Sequence, residues 1–122
     1  MADEVTASAY LRVENSGGAF ERYEAKTEFD QTGTNATYCI QEIGTSAENL
    51  TVVADIGSNG WGFFKNLHSS ASIEIGVDVS ATFYPFVKLL AGEFALIPLA
   101  DSITVQGKAS ATADLEYAIF ER

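Results

Sequence analysis

Between Ser72 and Val79 the chain sets Ile73, Ile75, Val77 and Val79 in strict alternation against Ser72, Glu74, Gly76 and Asp78. A period of two places four β-branched side chains on one face and small or acidic ones on the other, the signature of a half-buried strand. Aromatic groups stand on both sides, Trp61, Phe63 and Phe64 before it and Phe83, Tyr84 and Phe86 after it. The stretch from Trp61 to Leu99 therefore reads as the core of a sheet. The same rhythm opens the chain: Val5, Ala7, Ala9, Leu11 and Val13 alternate with Thr6, Ser8, Tyr10, Arg12 and Glu14. Asn15-Ser16-Gly17-Gly18 is a turn. Ala19 to Asp30 returns as a partner strand, with Ala19, Tyr23, Ala25, Thr27 and Phe29 on one face and Phe20, Arg22, Glu24, Lys26, Glu28 and Asp30 on the other.

Further strands are expected over Ala36 to Ile43 and through Leu50, Val52, Ala54 and Ile56. Asn59-Gly60 between apolar runs predicts a tight hairpin turn leading into Trp61 to Leu67. Thr82 to Leu90 is apolar on both faces. Pro85 marks it as an edge strand or a bulge, and Pro98 does the same for Phe94 to Leu99. Gly107 interrupts the ninth strand, as a bulge or a close backbone approach requires. The tenth, Asp114 to Glu121, sends Leu115, Tyr117 and Ile119 inward. Such spacing predicts an all-β fold, an antiparallel β-sandwich of jelly-roll type with a long N-terminal hairpin. One domain, 1–122, is expected: 1–48 supplies the hairpin and third strand as an assembly arm, and 49–122 forms a compact β core.

Charge narrows the partners. Seven basic residues against seventeen acidic ones give a net charge of −10 over 122 residues. No basic patch offsets this, so nucleic acid and membrane are excluded as partners. MADEVTASAYLRVEN has neither a basic nor an apolar leader segment, so no secretory signal peptide is expected. No apolar run approaches the roughly 18 residues of a spanning helix. Cys39, the single cysteine, reads as a buried small hydrophobe between Tyr38 and Ile40.

Catalytic chemistry finds no purchase. His68 is the single histidine, so neither a two-histidine metal site nor a cupin-type cluster can be built within one chain. Glu74 and Asp78 share a strand face but lie roughly 13 Å apart, too far for a glycosidase pair. No calcium loop and no phosphate cradle occurs. No catalytic, metal-binding or cofactor-binding residue is predicted, and no cofactor. The remaining signal is apolar side chains with no place in a single core. Tyr10, Phe20, Tyr84 and Phe86 are the predicted interface residues. Trp61 and Phe64 are the candidates for an aromatic platform that would stack a sugar.

Phe64-Lys65-Asn66-Leu67, Ile73-Glu74-Ile75-Gly76-Val77, Phe83-Tyr84-Pro85-Phe86, Lys88-Leu89-Leu90-Ala91-Gly92-Glu93 and Leu115-Glu116-Tyr117 together resemble small all-β virion proteins of tailed bacteriophages. The resemblance covers Trp61 to Glu121, about half the chain, through short apolar motifs. It implies a non-enzymatic virion protein, a capsid decoration or cement protein that forms a homo-oligomer, preferably a trimer, and bridges major capsid protein subunits. A tail or head–tail connector component is the nearest rival within that class. A carbohydrate-binding β-sandwich is the alternative from another class.

Overall fold

A computed structural model of the chain describes residues 5–14, 16–18, 20–31, 35–52, 56 and 58–121. The side chain of Phe20 lies outside the described set, as do Asn15, Ala19 and Ala54. Among the described residues every regular element is a strand. The chain divides into two compact units, Met1–Thr32 and Gly33–Arg122.

In the first unit β1 (Val5–Glu14) pairs antiparallel with β2 (Phe20–Phe29), in unbroken register from Val5 opposite Phe29 to Glu14 opposite Phe20. This register puts Val5, Ala7, Ala9, Leu11 and Val13 on the same face as Phe29, Thr27, Ala25 and Tyr23. The other face is a row of ion pairs two residues apart: Arg12 with Glu14 at 2.9 Å, Arg22 with Glu24 at 3.0 Å, and Lys26 with Glu28. Exposed pairs of this kind contribute roughly 0–1 kcal/mol each, so they keep the ribbon soluble more than they hold it together.

The second unit is an antiparallel β-sandwich. Its strands are β3 (Ala36–Ile43), β4 (Glu48–Asn49), β5 (Asn59–Asn66), β6 (Ile73–Val79), β7 (Thr82–Leu89), β8 (Phe94–Pro98), β9 (Val105–Ala109) and β10 (Ala113–Glu121). One sheet runs in the order β3-β10-β5-β8, the other β4-β9-β6-β7. Between them Ile43, Phe64, Ile73, Ile75, Leu115, Tyr117 and Ile119 are fully buried, and the Phe64 and Tyr117 rings stack with centroids 6.5 Å apart. The alternation read from the sequence holds along β6 for Ile73 and Ile75. Val77 is half-buried and Val79 is exposed, where the strand leaves the core for its turn.

Three local expectations meet a different outcome. The third strand is not part of an N-terminal arm: β3 pairs along its length with β10 and belongs to the sandwich. The fourth strand shrinks to Glu48–Asn49, opposite Gly107 and Gln106, and Leu50 and Val52 lie beyond it. Asn59-Gly60 is no turn but the start of β5. There Asn59 is buried, and its amide donates to the Ile103 carbonyl at 3.1 Å. The tight turn occurs instead at Ser80-Ala81, joining β6 to β7 with φ of 53° and 65°. Positive φ at both central positions is what a type I′ hairpin turn requires.

The proline and glycine signals resolve cleanly. Pro85 lies at a bulge in edge strand β7: Ile75 faces Val87, Gly76 faces Pro85, and Phe86 between them has no counterpart. A Cβ on Gly76 would sit 2.2 Å from the Tyr84 carbonyl oxygen, so the crossing admits glycine alone. Pro98 ends β8, the edge of the other sheet. Gly107 marks a close approach, since a Cβ there would meet Leu50 at 3.3 Å and Ile43 at 3.4 Å. Ala91-Gly92-Glu93 turns the chain between β7 and β8, with Gly92 at φ 77° and Glu93 N–H bonded to the Leu90 carbonyl at 3.0 Å.

Candidate interaction surface

Strand register determines which side chains share the outer face of the β3-β10-β5-β8 sheet, because residues directly opposite in antiparallel strands point the same way. One row across it is Ala36, Phe120, Trp61 and Pro98. The next is Tyr38, Ala118, Phe63 and Leu96. The third is Ile40, Glu116, Lys65 and Phe94. Ten of these twelve positions are apolar, and the face turns away from the sandwich core. Tyr38 and Phe94 are each 65% exposed and Ile40 54%. The Phe63 and Phe94 rings lie 6.2 Å apart, centroid to centroid, bridging β5 and β8.

Such a face departs from the usual alternation of an antiparallel sandwich, in which the outer side is polar. The other sheet follows the rule: its outer side carries Lys108, Glu74 and Lys88 in one row. That row is charged throughout, whereas ten of the twelve outer positions on the first sheet are apolar and make its face dry. Within the dry face the two charged residues, Glu116 and Lys65, are direct cross-strand neighbours. The Tyr38 hydroxyl donates to the Glu116 carboxylate, and this bond raises the Tyr38 pKa above its ordinary value. At the rim Glu42 faces Asp114, which adds acid beyond the apolar rows.

The residues singled out from sequence are scattered. Tyr84 and Phe86 are exposed on β7, in the other sheet. Tyr10 is exposed on the charged face of the hairpin, with the Arg22 guanidinium 5.4 Å from its ring centroid. Phe20 lies outside the described side chains. Trp61 is half-buried within the dry face. Phe64 is fully buried beneath it against Tyr117, so the two-residue aromatic platform is corrected: residues three apart on a strand point to opposite faces, and of the two Trp61 alone points out. Sequence reasoning missed Tyr38, Ile40, Phe94, Leu96 and Phe120. A signal was present for Phe94 and Leu96 in β8, where both alternating sets are apolar, as a strand covered on two sides requires.

Nothing reactive gathers elsewhere. Among the described residues no group of three or more histidine, cysteine or carboxylate side chains could hold a metal ion. Cys39 is free and half-buried. His68 is structural: its Nδ1 accepts the Ser70 N–H at 3.0 Å and the Ala71 N–H at 2.8 Å, closing the loop after β5. A cleft of about 260 Å³ at one end of the sandwich is lined by Asn49, Ile56, Asn59 and Ile103, with Asp101 its single carboxylate among the described residues. No described helix is long and apolar enough to cross a membrane. Comparison of the chain with protein-family models, with curated proteins and with solved structures finds no match.

Proposed function

We propose that this is a non-enzymatic virion structural protein of the capsid-decoration kind, which assembles as a homo-oligomer and bridges subunits of a shell. The observation that carries the assembly reading is the dry outer face of the β3-β10-β5-β8 sheet. An apolar surface of that extent on an acidic chain serves contact with other protein. We read the eight sandwich strands as a jelly roll, since β3-β10-β5-β8 and β4-β9-β6-β7 interleave early and late strands as two Greek keys do, and jelly rolls build many viral shells. The motif resemblance in residues 61–121 points the same way. The protein would reside in the virion after synthesis in the host cytoplasm.

The test is co-sedimentation of the purified protein with phage particles lacking their decoration, at rising ionic strength. Binding at low salt that weakens as salt rises is expected of an acidic docking surface. A chain left in the supernatant at every ionic strength defeats the proposal. Binding to isolated tails but not to capsids moves it to the tail or head–tail connector. A half-exposed Trp61 keeps one carbohydrate test worthwhile: glycan binding abolished by Trp61→Ala would replace the virion reading with a sugar-binding module.

A further inference from the structure

We infer that the dry face of the β3-β10-β5-β8 sheet is closed by the same face of a second copy of this chain. This rests on the assembly reading above and names its partner. Three observations converge on that occupant.

The first is extent. With Tyr38 and Phe94 each 65% exposed and Ile40 54%, and an aromatic side chain covering ~150–250 Å², the face offers on the order of 600 Å² of contact. A standard interface takes ~800 Å² from each partner. The patch is therefore large enough to supply most of one side of a dimer, and it lies at the top of the ~300–600 Å² range seen on monomers.

The second is charge. The chain carries −10, so two copies repel wherever their acidic surfaces meet. Within its three rows this face holds one cation, Lys65, and one anion, Glu116, and is neutral. A basic partner selected by charge would dock on the acids instead. An uncharged face suits an uncharged face.

The third is symmetry. Lys65 lies on β5 and Glu116 on β10, the two central strands of four. A twofold axis in the plane of contact, running between those strands, sets each Lys65 over Glu116 of the partner subunit. The same axis carries β3 over β8, so Ile40 meets Phe94 of the partner subunit. Each ion meets its opposite while the aromatic and aliphatic columns meet each other. Sheets stacked this way pack about 10 Å apart. Stacking of two faces is a pairwise contact, so the unit it builds is a dimer.

Sedimentation velocity on the full chain tests this. The expected result is a concentration-dependent dimer. Lys65→Glu alone and Glu116→Lys alone should each weaken it about tenfold or more, because each sets like charges across the axis twice. Mixing the two variants should restore a dimer containing one of each, which a charge effect confined within one subunit does not produce. Phe94→Ser, at an exposed edge position, should also weaken pairing without changing the circular dichroism spectrum, and it serves if a charge variant fails to fold. Tyr84→Ser, on the other sheet, should leave pairing unchanged. A chain monomeric up to about 1 mM, a dimer indifferent to Phe94→Ser, or variants that pair no better mixed than alone would overturn the inference. Failure of the wild-type dimer to bind any particle would sink the virion reading and leave this one standing. A monomer that binds particles would do the reverse.

Discussion

The side-chain amide of Asn66 donates to the Leu89 carbonyl at 3.1 Å, tying β5 of one sheet to β7 of the other. The same amide reaches the Ala71 carbonyl at 2.7 Å, and its oxygen accepts the His68 N–H at 2.9 Å. Asn66 is wholly buried. A buried polar side chain with every group satisfied adds specificity, and its loss leaves each partner stranded. Asn66→Leu keeps the volume and removes all three bonds. Urea unfolding should show a loss of about 3 kcal/mol or more. Asn66→Asp, which cannot donate to either carbonyl, should be no milder.

The turn at Ser80-Ala81 holds two non-glycine residues at positive φ, a strained choice for alanine above all. Replacing the pair by Asn-Gly supplies the residues that a type I′ turn prefers. A gain of about 1 kcal/mol is expected, which for a domain near this size raises Tm by several degrees. Calorimetry of the variant reads it directly. A fall in Tm would mean that the turn is not strained.

Gly76 is a position where even a methyl group has no room, because Tyr84 backbone occupies its place at 2.2 Å. Gly76→Ala must push β7 away from β6 at the bulge. The expected cost is about 2 kcal/mol or more, seen as a lower urea midpoint. Gly44→Ala is the control, since the nearest atom to a Cβ there is a flexible Glu48 oxygen at 3.7 Å.

Alkaline pH should weaken the fold through Tyr117. Burial raises its pKa well above the ordinary value of 10, and its contact with Cys39 adds to the rise. Its hydroxyl lies 2.6 Å from the Thr51 carbonyl and 2.9 Å from Gln41 Oε1. The folded state holds the proton more tightly than the unfolded chain. Its contribution to stability is therefore complete below pH 10 and is lost as pH rises beyond 10 toward the folded pKa. Tyr117→Phe should be less stable at neutral pH by about 1 kcal/mol, and its stability should fall less between pH 9 and 11. Parallel urea titrations at each pH separate the two curves.

Fold class was legible because alternation is a local property. Ala36 to Ile43 and the inward set Leu115, Tyr117 and Ile119 stand where the pattern placed them. Turn chemistry misled at one site and was silent at another. Asn59-Gly60 has the favoured residues yet lies inside β5, where the Ile103 carbonyl captures the Asn59 amide, while Ser80-Ala81 makes the turn without them. Tertiary partners overrode local preference in both. The dry face was illegible for a different reason. Tyr38, Phe120, Trp61 and Phe94 become neighbours through strand pairing across as many as eighty residues of chain, and no window of sequence contains them together.

Strand order also governs when the molecule can exist at all. β10 follows the other sandwich strands in the chain, and it lies between β3 and β5, bonded to both. Until residue 121 has left the ribosome, β3 has no neighbour in its sheet and the floor of the core is missing. β6 and β7 can pair first, through their two-residue link, then β5 with β8 and β9 with β6. A nascent chain shorter than this keeps its greasy strands uncovered, so a face able to associate exists only once β10 has joined the sheet.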